Sequence, residues 1–273
     1  MIPRNDRNSH KSYREAEGNY GLRPDRWAIR SVDCAGLSDR GRVRRDNQDR
    51  WFADGKGQIF LVSDGMGGHP CGALAADRVT EMLPRQLQAV VADAVDLAAP
   101  LAVARVVATV RRLSRTIRQR GARRPDTAGM GATLVLAMIR ADQVLVVHLG
   151  DSRAYLLRRH RLTRLTKDHT ATELLLESGV ISAQQAARHP ARGQLTRYMG
   201  MSGKALPETR LASLHPGDRI LLCSDGLTRM LSDEQLRVIL TREPNPERAC
   251  RRLIDRANES GGRDNITALI VAM

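Results

Sequence analysis

The order of the apolar segments predicts a layered α+β fold for this chain of 273 residues. Strand-like segments come first, then two long helices, more strands, two short helices, a strand, two helices and a last strand. The turns between the central strands are too short for a βαβ crossover, so those strands should pair antiparallel. Hydrophobic residues make up 42% of the chain, which suffices for a full core and excludes wholesale disorder.

The N-terminal segment differs in composition from the rest. Residues 1–27 are polar and show no period, so we expect a flexible arm there and one folded domain over residues 28–273. Regular structure should begin with a strand near Trp27–Cys34. We see no apolar region of a secretory signal in the arm, and no segment reaches the roughly 20 apolar residues that span a bilayer.

The first half of the domain predicts a hairpin followed by two helices. The segments Arg50–Ala53 and Ile59–Ser63 flank a glycine-containing turn and therefore predict two paired strands. Gly72–Ala99 is rich in Ala and Val and predicts a helix, which Pro84 should kink or interrupt. A second helix is expected from Leu101 to Arg120, because its apolar residues recur at helical spacing.

The second half alternates strands with shorter helices. Three apolar segments joined by short turns predict an antiparallel meander, at Ala132–Ile139, Gln143–Leu149 and Ala154–Arg158. Ser232 followed by Gln235 has the spacing of a capping box and predicts a helix start. The remaining predicted elements are helices at Thr170–Ser178, Ser182–Arg188, Ser232–Thr241 and Pro246–Ser260, and strands at Arg219–Ser224 and Ile266–Val271.

Five aspartates lie where predicted strands begin or end; three of them have a glycine directly beside them, and Gly262 lies two residues before a fourth, Asp264. They are Asp49, Asp64, Asp151, Asp225 and Asp264. A single Asp-Gly pair is usually a turn, but five aspartates at strand ends, one of them followed by Gly-Met-Gly-Gly and another by Asn265, disfavour that interpretation. Carboxylates from several strand ends can converge at one sheet edge, and oxygen ligands without His or Cys suit Mg²⁺ or Mn²⁺.

The segments around these aspartates together resemble the bacterial form of the metal-dependent PP2C (PPM) family of protein serine/threonine phosphatases. The matching segments, in the family's order over about residues 30–273, are Ser38–Asp49, Val62–His69, Gly131–Leu134, His148–Leu156, Leu165–His169, Leu222–Leu227 and Gly262–Thr267. The resemblance implies a central sandwich of two antiparallel β-sheets flanked by α-helices on both sides. It also implies hydrolysis of phosphoserine and phosphothreonine on proteins by a water that two Mn²⁺ or Mg²⁺ ions activate.

By the same resemblance, each aspartate has a role. Asp64 would bridge the two metal ions, and the backbone carbonyl of Gly65 would bind one of them. Asp225 and Asp264 would complete one side of the site, and Asp49 would hold metal-bound water. The catalytic residues are then Asp64 and Arg44, and the Arg44 guanidinium would bind the substrate phosphate.

The resemblance also implies a third, weaker ion at Asp151, and three residues depart from the family pattern. Arg229 stands where the family often has an aspartate that helps to bind the third ion, so a fixed positive charge should disfavour that ion. Gln48 replaces a glutamate of many members. Met66 replaces the histidine of eukaryotic members, so that water would protonate the leaving alkoxide.

Two functions other than phosphatase activity stay open, and the strongly basic composition suggests one of them. The formal net charge is +14, and the stretch 105–124 alone carries eight arginines without an acid, which indicates either a solvated surface or a docking face for acidic partners. Nucleic-acid binding is one alternative, but only 3% of residues are aromatic and we find no nucleic-acid-binding motif. A phosphoprotein-binding pseudophosphatase or scaffold is another.

The expected partners are phosphorylated proteins. The resemblance implies an enzyme that opposes a bacterial Ser/Thr kinase, with no specific nucleic acid and no membrane as partner, and we expect a monomer. Four cysteines far apart, without a CxxC pair, argue against a zinc site or disulfide framework and for the reducing cytoplasm.

Overall fold

The computed structural model describes residues 11–13, 32–56, 58–66, 70–93, 96–123 and 125–273. The predicted arm lies outside these residues except for β1 (Lys11–Tyr13), which pairs antiparallel with the next strand. Gly67, Gly68, His69 and Arg124 also lie outside them. The first strand of the domain, expected near Trp27–Cys34, is observed at Asp33–Asp39.

Two antiparallel six-stranded sheets form the centre of the molecule. The first has the strand order β1, β2, β12, β11, β8, β9, and comprises β1, β2 (Asp33–Asp39), β8 (Arg153–Arg158), β9 (Arg161–Arg164), β11 (Arg219–Cys223) and β12 (Ile266–Ala272). The second has the order β10, β7, β6, β4, β3, with β5 paired to β4. Its strands are β3 (Asp49–Ala53), β4 (Ile59–Met66), β5 (Gly131–Ala132), β6 (Leu134–Arg140), β7 (Gln143–Leu149) and β10 (Glu208–Ser213).

Helices cover both outer faces. On the second sheet lie α1 (Pro70–Asp93) and α2 (Pro100–Gly121), and the first sheet carries α5 (Asp225–Thr228), α6 (Asp233–Arg242) and α7 (Pro246–Glu259). Two short helices, α3 (Ala171–Glu177) and α4 (Ala183–Ala186), belong to the segment between β9 and β10. The capping box of Ser232 and Gln235 begins α6 as predicted.

The core consists of three apolar layers, which follow from the alternation of side chains along each strand. One layer packs α1 and α2 against the second sheet, one packs α5 to α7 against the first sheet, and one lies between the two sheets. In β4, for example, Leu61 faces the helices while Phe60 and Val62 face the other sheet. The predicted α+β sandwich with helices on both sides is therefore confirmed.

One detail of the prediction was wrong, and another was wrong in part. The expected meander of three strands does not exist, because the chain leaves the second sheet after β7 and β8 pairs with β9 and β11 in the first. The turn after β7 is short whether β8 pairs in the second sheet or in the first, so the length of the turn does not predict which sheet β8 joins. Pro84 does not interrupt α1, which continues through it to Asp93, so the break is excluded while the kink stays a prediction.

The arginine-rich stretch belongs to α2 and its exit. Buried residues such as Val106, Val110, Leu113 and Ile117 form the inner face of this helix. Its described arginines are all exposed: Arg105, Arg111, Arg112, Arg115, Arg118, Arg120 and Arg123. No helix in the described part of the chain is long and apolar enough to cross a membrane.

Candidate active site

The predicted aspartates converge at one end of the sandwich, where strand ends of both sheets meet. A cavity of about 540 Å³ opens there. Its lining includes most of the residues singled out from the sequence: Arg44, Asp64, Gly65, Asp151, Asp225 and Asp264. The remaining aspartate, Asp49, is buried directly beside the cavity, because it lies opposite Asp64 in the pairing of β3 with β4.

Asp49 and Asp64 form a like-charged cross-strand pair. Two carboxylates directly opposite each other in antiparallel strands repel, and burial strengthens that repulsion. Burial raises the pKa of Asp49 to about 6, and burial together with the charge of Asp49 raises the pKa of Asp64 well above its ordinary value. Both carboxyl groups can therefore be charged together only at a cost in stability, which a nearby positive charge would offset.

Neighbouring hydroxyl groups orient Asp49. Ser224 Oγ donates to Asp49 Oδ2 at 2.6 Å, and Thr267 Oγ1 donates to the same oxygen at 2.7 Å. The other oxygen, Asp49 Oδ1, is buried and receives no hydrogen bond from the described residues, and the same holds for Asp225 Oδ1. Buried carboxylate oxygens without a donor are rare in proteins, and a bound cation is one physical reason for them.

A close contact between α5 and β12 brings Asp225 and Asp264 together. Asp225 is the first residue of α5, and a Cβ atom on Gly226 would overlap the carbonyl oxygen of Asn265. Only glycine lets the helix approach the strand this closely. The carboxyl groups of Asp225 and Asp264 consequently lie near enough for each charge to raise the pKa of buried Asp49 further.

Asn265 holds the loop that carries Arg44. Its amide nitrogen donates to the carbonyl oxygens of Arg40 at 3.0 Å and Asp46 at 2.9 Å. Its amide oxygen accepts from the backbone N–H of Gln48 at 2.9 Å. Three hydrogen bonds from one side chain therefore tie the loop between β2 and β3 to the start of β12.

Arg44 lies at the mouth of the cavity, where half of its side chain is exposed. Its Nη2 atom donates to Asp264 Oδ2 at 2.8 Å. The guanidinium has five N–H donors in a planar fork, so this ion pair leaves capacity for a further oxyanion.

Asp151 and Arg229 also line the cavity, although they lie far from Arg44 in the sequence. Burial raises the pKa of Asp151 well above its ordinary value, and the charge of Asp225 raises it further. The Nη2 atom of Arg229 forms an ion pair with Asp225 Oδ2 and lies 3.6 Å from Asp151 Oδ2. Arg229, which stands where the family often has an aspartate, thus lies inside the acidic cluster.

A pair of stacked histidines, which sequence reasoning missed, supports the loop of Asp151. The rings of His148 and His169 are stacked with centroids 4.5 Å apart. His169 Nδ1 accepts from the backbone N–H of Gly150 at 3.2 Å, and His148 Nε2 bonds the carbonyl oxygen of Lys167 at 2.7 Å. Burial lowers the pKa of His169 to about 4, so the ring is neutral at physiological pH.

These histidines and Glu208 lie close enough to be considered as metal ligands. The hydrogen bonds argue against that function, because the Nδ1 atom of His169 is already an acceptor. In addition, Arg197 Nη1 donates to Glu208 Oε1 at 2.8 Å and lies 3.3 Å from His169 Nε2, where its charge opposes a cation. The cluster is a structural link between β7 and the segment that follows β9.

Sequence reasoning also missed Ser224, Thr267 and Asn265 as supports of the site. The available signal was weak: each is a polar residue at a buried position close to a predicted aspartate. Cys223, in contrast, is fully buried, and burial raises the pKa of its thiol to about 12, which argues against a role as a nucleophile.

Comparisons with known proteins agree with this geometry. The family model for protein phosphatase 2C matches residues 38–268. A serine/threonine phosphatase, stp, of Listeria monocytogenes is 36% identical over 242 residues, covering 86% of this chain and 93% of that protein. The crystal structure of the S. agalactiae serine/threonine phosphatase matches with a TM-score of 0.79 and 30% identity, covering 89% of this chain and 100% of that one.

A second solved structure contains metal. The catalytic domain of the serine/threonine protein phosphatase PstP in complex with two manganese ions matches with a TM-score of 0.75 and 33% identity. The match covers 88% of this chain and 97% of that one.

The layered sandwich with an acidic cleft at one end defines the class of the protein as an α-β-β-α phosphatase-like fold. Within that class, the chain belongs to the protein phosphatase 2C family.

Proposed function

We propose that this protein is a metal-dependent phosphatase that hydrolyses phosphoserine and phosphothreonine on proteins. The observation that carries the proposal is the convergence of five aspartates from separate strand ends at one cavity, with buried carboxylate oxygens that lack a donor in the described chain. Relatives with 30–36% identity are named serine/threonine phosphatases, and the family assignment supports the same chemistry.

The residues present fit two divalent ions. Asp64 and the carbonyl of Gly65 would hold them from β4, Asp225 from the start of α5 and Asp264 from the loop before β12, and Asp49 of β3 would hold metal-bound water. All these ligands are oxygen atoms, which Mg²⁺ and Mn²⁺ prefer. When bound, the ions supply Lewis-acid activation of a water and neutralise charge on the phosphoryl oxygens. The proposal of Mn²⁺ is supported by the manganese-containing PstP structure.

The chain itself would supply substrate binding and orientation. Arg44 would bind two phosphate oxygens through its planar fork, while its ion pair with Asp264 keeps the fork directed at the cavity. Ser224 and Thr267 hold Asp49 in one orientation by donating to its Oδ2. Met66 lines the cavity and cannot donate a proton, so we propose that a solvent water protonates the leaving serine or threonine oxygen.

The domain boundary, the cellular location, the partners and the oligomeric state are proposed from the sequence and the family. We propose a phosphatase domain over residues 28–273 preceded by the arm of residues 1–27. The dispersed cysteines support a cytoplasmic enzyme, and the family supports a Ser/Thr kinase as the opposing activity, with phosphorylated kinase and substrates as partners. We propose that it acts as a monomer.

The decisive experiment measures hydrolysis of p-nitrophenyl phosphate and of a phosphothreonine peptide with Mn²⁺. We expect activity that EDTA abolishes and that Asp64→Asn lowers about 10²-fold or more, because the variant removes one ligand charge at the centre of the site. Asp255→Asn, an exposed carboxylate on α7, is the matched control. A protein that binds the phosphopeptide but hydrolyses neither compound with Mn²⁺ is a phosphoprotein-binding scaffold, and the proposal is then wrong.

A further inference from the structure

The lining of the acidic cavity includes a positively charged side chain, Arg229, close to two of its aspartates. Asp151 follows β7 of the second sheet and Asp225 begins α5 behind the first sheet, yet their carboxyl groups lie within hydrogen-bond reach of each other. Asp151 is 6% exposed and Asp225 is 8% exposed. Two buried acids in contact require either a shared proton or a positive charge.

Arg229 supplies that charge from the end of α5. It lies four residues after Asp225, a spacing that places the two side chains on the same helix face. One nitrogen, Nη2, pairs with Asp225 Oδ2 and lies 3.6 Å from Asp151 Oδ2, so it lies between the two carboxylates.

A glycine in a distant segment makes room for this guanidinium. Gly193 has a φ of +87°, and a Cβ atom there would overlap Arg229 Nη2. Gly193 also lines the cavity, on the segment between α4 and β10. The backbone of that segment therefore lies directly against the guanidinium nitrogen that contacts the two carboxylates.

Resting on the proposed phosphatase function, we propose that Arg229 is a built-in cation that occupies the position of a third divalent ion between Asp151 and Asp225. The enzyme then binds two ions and not three. A divalent ion placed beside both carboxylates would lie next to a fixed guanidinium charge, and Asp225 Oδ2 is already engaged. Asp151 therefore serves as a partner of Arg229, not as an ion ligand.

The test counts bound Mn²⁺ per chain, by electron paramagnetic resonance of free Mn²⁺ during titration of EDTA-treated protein. We expect two bound ions in the wild type and in Arg229→Lys, which keeps the charge. Arg229→Asp should bind a third. The control Arg237→Asp makes the same charge change at a half-buried residue of α6 and should bind two. A wild type with three ions, or a folded Arg229→Asp protein with two, overturns the proposal.

Two further variants keep the test decisive if Arg229→Asp does not fold. Arg229→Ala removes the guanidinium without adding an acid and should bind a third ion more weakly than the first two. Gly193→Ala should displace the guanidinium and have the same effect. Its control is Gly203→Ala, which has the same φ of +87° but open space around the position of its Cβ, and it should bind two ions. If folded Arg229→Ala and Gly193→Ala both bind two ions, the proposal is wrong.

The outcome is separable from the proposed function. A wild type that hydrolyses the phosphopeptide and binds three ions refutes only the inference about Arg229. A wild type that binds no Mn²⁺ and hydrolyses nothing refutes the phosphatase itself, whatever the variants do.

Discussion

Buried Asp49 should make the metal-free protein less stable as the pH rises. Burial raises the pKa of this carboxyl from 3.8 to about 6, although Ser224 and Thr267 donate hydrogen bonds to it. The folded protein therefore binds the proton more tightly than the unfolded chain does. The stabilisation is complete below about pH 4, and it is lost progressively as the pH rises through about 6.

The magnitude follows from that pKa difference. A rise from 3.8 to about 6 corresponds to about 3 kcal/mol of unfolding free energy between the low-pH and high-pH limits. A domain of this size changes its melting temperature by about 2–4 °C per kcal/mol, so the effect is about 6–12 °C. The pKa values of Asp64, Asp151 and Asp225 are also raised by burial, and each contributes with the same sign.

The assay is calorimetric melting of EDTA-treated protein from pH 4.5 to pH 8, comparing the wild type with Asp49→Asn. The variant cannot ionise, so its melting temperature should exceed that of the wild type by an amount that grows until about pH 7 and then stays constant. Asp255→Asn should follow the wild type at every pH. Saturating Mn²⁺ should reverse the order at pH 8, because the cation stabilises the charged carboxylate only where one is present.

Equal melting temperatures of wild type and Asp49→Asn at every pH would refute the reasoning. So would a difference that is largest at low pH, because it would mean that the folded state favours the charged form of Asp49 without a cation.

Two other predictions concern the loop between β2 and β3. Arg44→Ala should lower kcat/KM by about 10²-fold, and Arg44→Lys should lower it by less, because lysine keeps the charge but not the planar fork. Arg237→Ala on α6 is the control. If Arg44→Ala and Arg44→Lys lower kcat/KM equally, the bidentate binding of phosphate by Arg44 is contradicted. Asn265→Ala removes three hydrogen bonds to that loop and should cost about 1–3 kcal/mol in urea unfolding while raising KM. If Asn265 acts by positioning Arg44, the double variant should lose little more activity than Arg44→Ala alone; additive losses would indicate separate roles.

Local pattern was sufficient for most of the secondary structure. The hairpin of β3 and β4 and the helices α2, α6 and α7 follow from periodicity, turn residues and caps, all of which act over a few residues. The short edge strand β10 was missed, because its residues are mostly exposed on both faces and show no apolar alternation.

The sequence by itself also determined which residue types could form the site. Aspartates at strand ends, with glycines beside them, indicate an oxygen-ligand cluster, and the ordered motifs indicate the family. Tertiary structure decided what no local pattern encodes: that β8 joins the other sheet, that Asp49 lies opposite Asp64, and that Arg229 reaches Asp151. Strand register and the approach of two sheets depend on packing between residues far apart in the chain, and these contacts determine which charges become neighbours.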